Sequence, residues 1–258
     1  MNTDQWILLL SEFLGVCAVA WILARSPRFR RAPIGFLYPR RDGIIALGLF
    51  GLLLALALLY HLGVFEALAG GAPILPQGGL PRQLFLSALS FLPVLAALFY
   101  RKQPGKSLGW SRNMLSPGLQ MGFALALLTV FLSGKVSALI NSMDQAKAVN
   151  ALLLLGIAAL EESIFRGYLQ LRLIWWLGKG TKTTTLETQS WWLGWAVTSI
   201  LFVLWQAPGW IHLAPETLAA TILITTVRSF VLGFVMQKTG HVAAPILYRA
   251  VSEWMLTF

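Results

Sequence analysis

Glu161, Glu162 and Arg166 set two adjacent carboxylates and a guanidinium inside the apolar run LLLLGIAALEESIFRGYLQL. Ionisable groups at membrane depth are expensive, so each needs a partner or a task. On a helix Glu162 and Arg166 are four residues apart and can pair, whereas Glu161 is turned by about a hundred degrees and must address a different helix. A carboxylate placed in this way could hold a water, take its proton and drive it at an amide carbonyl, as a general base does. The same charges could instead lock helices together as a network of ion pairs, and the motif alone leaves both readings open.

The elements that must carry these residues are membrane spans. Of 258 residues 57% are hydrophobic and 12% charged, the mean hydropathy is +0.71, and the apolar residues fall in runs of about 17 to 24. Eight such runs, Trp6 to Ala24, Ile44 to Phe65, Leu84 to Tyr100, Pro117 to Ile140, Asn150 to Leu177, Trp191 to Ala207, Thr217 to Met236 and Val242 to Phe258, predict an all-α polytopic membrane protein with about eight helices. Residues 1–149 supply N-terminal spans with basic loops and residues 150–258 the chemistry-bearing part, within one integrated membrane domain. The fifth run is too long for a simple span and is expected to tilt, or to break near Gly167. Gly118 and Gly122 form a small-xxx-small step that suits close helix packing.

Charge placement orients the spans. The net charge of +10 resides largely in loops, with Arg25, Arg28, Arg30, Arg31, Arg40 and Arg41 in the first and Arg101, Lys102, Lys106 and Arg112 after the third run. The positive-inside rule puts these loops in the cytoplasm and both termini on the non-cytoplasmic side, and a bacterial plasma membrane is the expected location. No aromatic interleaving accompanies the basic residues, so no nucleic-acid partner is expected, while anionic lipid headgroups are natural contacts. The single Cys17 excludes a disulfide framework, and no basic leader or small-residue cleavage site points to a removable signal peptide.

Glu161 to Arg166 resembles the EExxxR signature of the CPBP family, intramembrane glutamic endopeptidases of the CAAX prenyl protease 2 type. The segment Ser199 to Gln206 is similar to that family's second motif, FxxxH, with Gln206 at the histidine position, and FVLGFVMQKTGHVAAPILYRA from Phe230 to Ala250 is similar to its last two helices. There Arg249 and Glu253 occupy the positions of the HxxxN or HxxxD motif, and the likeness runs over roughly residues 150 to 258. It implies a CPBP-like core in the last four helices and names Glu161, Glu162, Arg166, Gln206, Arg249 and Glu253 as the positions equivalent to catalytic ones. In the family the first glutamate and the second-motif histidine are thought to activate water, and the last-helix residues to stabilise the oxyanion. Gln206 can orient a water but cannot shuttle its proton near neutral pH, whereas Arg249 could stabilise an oxyanion as a fixed cation.

The spacing of Arg249 and Glu253 favours mutual neutralisation on one helix. Glu161, Glu162 and Glu253 balance Arg166, Arg228 and Arg249 within the C-terminal spans. The expected function is therefore a non-catalytic membrane subunit, scaffold or binder of a partner helix, transmembrane peptide or lipid, the alternative being an active endopeptidase with Glu161 as general base. A proton transporter is a weaker third reading. His61, His212 and His241 pair with no Cys or His at ligand spacing, so neither metal nor cofactor is expected. The tryptophans, Trp191, Trp192, Trp195, Trp205, Trp210 and Trp254 among them, read as interfacial belts.

Overall fold

A computed structural model describes residues 3–26, 38–68, 79–178, 191–211 and 213–258, and all regular structure among them is helical. Helix α1 spans Thr3–Leu23, α2 Pro39–His61, a short α3 Val64–Leu68 and α4 Gly79–Tyr100. After two 3-10 turns, Gly105–Leu108 and Arg112–Met114, come α5 (Leu115–Leu132), a short α6 (Val136–Asn141) and α7 (Gln145–Glu162). A π-helical run, Ser163–Gln170, joins α7 without interruption to α8 (Leu171–Leu177), and α9 (Trp192–Gln206), α10 (Pro215–Thr239) and α11 (Ala243–Met255) complete the chain.

Every predicted span falls on a helix, and among the described residues five helices, counting the continuous stretch Gln145–Leu177 as one, are long and apolar enough to cross a bilayer. Two expectations are corrected. The run Pro117 to Ile140 is not one helix, because Gly134 takes a left-handed φ of 66° and separates α5 from α6. The run to Leu177 does not break at Gly167; it continues for 33 residues, accommodated by the π-helical run. The stretches around Gly70 to Pro76 and Lys179 to Gln189 lie outside the described residues, as does His212.

Local sequence sets the helix ends. Proline in the first turn starts α2 and α10, where a missing N–H leaves no bond unmade. Asp144 caps α7 by accepting from the Lys147 amide at 2.7 Å. Gly240, at φ 68°, closes α10, its N–H bonding the Met236 carbonyl at 2.8 Å.

Helix α11 packs between α5 and α7 at the centre of the molecule, with α4 against α7 and α9 against α10. The small-xxx-small step is used: a Cβ on Gly118 would lie 2.9 Å from His241, and one on Gly122 2.8 Å from Leu247, so these glycines bring α5 onto α11. The segment joining α4 to α5 folds back into the protein, where Ser107 and Leu108 are buried. Its irregular backbone is satisfied there: Arg172 donates to the Ser107 carbonyl at 3.1 Å, and the Val242 amide to the Gly109 carbonyl at 3.3 Å. Gly167 makes this possible, since a Cβ there would sit 2.1 Å from the Leu108 oxygen.

His241, in the turn between α10 and α11, accepts the Ala243 amide on Nδ1 at 3.0 Å while the Ser111 backbone takes its other N–H. Burial lowers its pKa to about 4, against 6.5 for a free histidine. Between those values the unfolded chain binds a proton that the folded chain refuses, so stability is complete above pH 6.5 and falls as the pH drops toward 4. We expect the thermal midpoint of detergent-purified protein to fall between pH 7 and pH 5, and His241→Asn to lessen that fall. An equal fall in the variant would show that His241 does not cause it.

Candidate functional site

Four helices deliver the six residues singled out in the sequence to one buried cluster. Glu161 and Glu162 end α7, Arg166 lies in the π-helical run, Gln206 ends α9, and Arg249 and Glu253 sit one turn apart on α11. Arg228 joins from α10. Glu161, Glu162 and Arg166 are completely inaccessible, and Arg249 is nearly so.

Arg249 is the hub. Its Nη2 meets Glu161 Oε2 at 2.6 Å, its Nη1 meets Glu162 Oε1 at 2.9 Å, and its Nε meets Glu253 Oε1 at 2.9 Å. Arg166 Nε pairs with the other oxygen of Glu162 at 3.2 Å, as the four-residue spacing predicts, and Arg228 lies 3.5 Å from Glu253. Three carboxylates and three guanidiniums therefore form one continuous chain of ion pairs. Removal from water makes each charge costly, and good geometry with further hydrogen bonds is what offsets that cost.

Glu161 turns toward other helices, as its helical phase requires, and both its oxygens are occupied. Oε1 accepts from Ser87 Oγ at 2.7 Å and from Gln83 Nε2 at 3.4 Å, both on α4; Oε2 accepts from Arg249 and, at 3.3 Å, from Gln206 Nε2. Gln206 thus uses its amide on the carboxylate itself. Both guanidiniums also face the ring of Phe202, Arg249 at 5.2 Å and Arg166 at 5.4 Å from its centroid, within cation–π range.

Sequence reading passed over several members. Ser87 and Gln83 belong to the N-terminal half, where no motif marks them; only the polarity of Gln83 and Ser87 on one face of an apolar run, four residues apart, could have done so. Ser229 accepts from Arg166 Nη2 at 2.7 Å and donates to the Ser199 carbonyl at 3.1 Å. The inventory of buried charge also omitted Arg172, fully buried in α8, which donates to the Tyr168 carbonyl at 2.9 Å and to Gln103, itself linked to the Asp42 and Arg101 pair. Trp205 is not an interfacial belt residue: it is 2% exposed and packs on Phe165 and Phe202.

Residues 145–255 match the family model described as type II CAAX prenyl endopeptidase Rce1-like. Over this stretch the chain is similar to the CAAX protease membrane proteins. No curated protein and no solved structure matches the chain. The Rce1-like stretch contains every member of the ion-pair chain, and the helices preceding it add Ser87 and Gln83.

A cleft of about 220 Å³ approaches this cluster from the end of the molecule where α2 and α9 finish and α4 begins. Gln83 and Gln206 form its inner wall, so the cleft stops one hydrogen bond short of Glu161. His61 lines the same cleft beside Tyr60. The opposite end carries the exposed Arg40, Arg41, Lys102, Lys106 and Arg112.

Proposed function

We propose that the chain is a non-catalytic membrane binder or scaffold, which keeps the framework of an intramembrane peptidase family and uses its charged residues to hold helices together. Its partner would be a transmembrane helix or a lipid, and the basic end would face the cytoplasm. One observation carries this reading: Arg249, where the Rce1-like family places an oxyanion-stabilising residue, is spent on Glu161, Glu162 and Glu253 together. A general base must hold a water within about 2.6 to 3.2 Å, and the oxygens of Glu161 already accept from Ser87, Gln83, Gln206 and Arg249.

The endopeptidase reading keeps one specific support. The cleft ends at Gln83 and Gln206, so rotation of those two side chains would admit water to Glu161. The deciding experiment incubates purified protein with a membrane-embedded peptide and compares wild type with Glu161→Ala. We expect no turnover from either, and cleavage that Glu161→Ala abolishes would overturn the binder reading. Copurification of a fixed membrane partner that Glu161→Ala releases is the positive counterpart.

A further inference from the structure

The cleft beside Glu161 also has an outer wall, and its chemistry differs from that of the buried ion pairs. Among the described arginines that are not exposed, Arg101, Arg166, Arg172, Arg228 and Arg249 each have an acceptor at 3.5 Å or closer. Arg82 does not. Its ion pair is with Glu66 at 3.9 Å, a carboxylate about half exposed, and its side chain is 34% exposed on the cleft wall. The guanidinium is held over the Tyr60 ring, 5.1 Å from the centroid, while the Tyr60 hydroxyl donates to the Arg82 carbonyl at 3.0 Å. It is thus a positioned cation in contact with Tyr60 and Glu66, and its Nε has no hydrogen-bond partner.

We propose that this cleft is a phosphate site for an anionic phospholipid, with Arg82 as its main contact. Three observations point to this ligand. The planar fork of an arginine suits a phosphate, and Arg82 presents one on the cleft wall. Three helix ends form the opening, and the ends of membrane helices are where a lipid headgroup meets a protein. An apolar stripe of Phe85, Leu92, Leu95 and Phe99 runs from the cleft along the outside of α4, all of them exposed, and offers an acyl chain a continuous surface. The stripe favours a lipid over free phosphate. The site is independent of the fate of Glu161, because Arg82 takes no part in the ion-pair chain.

Native mass spectrometry of the full chain in detergent, with phosphatidylglycerol or phosphatidylcholine in equal amounts, tests this. Wild type retains phosphatidylglycerol preferentially, and Arg82→Gln loses it about tenfold, as one charged contact would account for. Arg82→Lys, a point charge rather than a fork, retains less than wild type and decides the matter if Arg82→Gln does not fold. Arg40→Gln with Arg41→Gln, at the opposite end, leaves retention unchanged. Retention unaltered by Arg82→Lys and Arg82→Gln, or lost through the Arg40 and Arg41 changes, overturns the proposal. So does Arg82-dependent thermal stabilisation by inorganic phosphate without any preference between the two lipids, which would mark a free-phosphate site.

Discussion

Arg249→Met, which keeps an unbranched apolar stem and deletes the guanidinium, will destabilise the protein by about 3 to 5 kcal/mol, the cost of breaking a buried ion pair from one side. The change leaves Glu161 without a cation and takes one of two from Glu162 and Glu253, with Glu161 and Glu162 completely buried. A surface arginine would matter far less, since exposed pairs contribute at most about 1 kcal/mol. The readout is the thermal midpoint in detergent together with the yield of monodisperse protein. Adding Glu161→Gln to the variant should restore part of the loss, because a hydrogen-bonded amide can remain buried without a counter-ion while Glu162 keeps Arg166. A wild-type midpoint for Arg249→Met alone would mean that the carboxylates are neutral or hydrated, and would return Glu161 to consideration as a base.

Gly167→Ala is the second large effect. Its Cβ would lie 2.1 Å from the Leu108 oxygen and 2.8 Å from the carbon of the same carbonyl, and both are backbone atoms that cannot rotate away. Either the infolded segment moves outward, breaking the Arg172 contact to the Ser107 carbonyl, or the π-helical run shifts. Overpacking of this kind costs about 1 to 3 kcal/mol, and occasionally more. Gly48→Ala is the matched control, because nothing lies within 4 Å of the new methyl. There alanine should stabilise the helix by roughly 0.5 to 1 kcal/mol. Equal behaviour of the two variants in thermal unfolding would show that the Leu108 contact does not constrain the chain.

The spans were legible in the sequence because apolar run length measures bilayer thickness. Four-residue spacing likewise disclosed the pairs Glu162 with Arg166 and Arg249 with Glu253, which lie on single helices. What spacing could not disclose is which cation Glu161 meets, since its partners come from α4, α9 and α11. The infolded segment after α4 was hidden for a related reason. Its carbonyls are satisfied by Arg172, more than sixty residues later, so nothing in its own composition signals burial. The π-helical run was invisible too, because extra residues per turn leave no mark on an apolar pattern already hydrophobic on every side.

The position of the hub within the chain also imposes an order on its making. Glu161 precedes Arg249 by 88 residues, and Glu162 by 87. At ribosomal speeds of about 5 to 20 residues per second, Glu161 waits roughly 4 to 18 s for α11 to bring its counter-ion, whereas Glu162 has Arg166 one turn away from the start. During that interval α7 carries charge that membrane lipid does not welcome, so a nascent chain stalled or cut before α11 is left with an α7 that is a poor membrane segment. The ion-pair hub therefore couples two helices made at different times, α11 neutralising a charge that α7 has carried since its own synthesis.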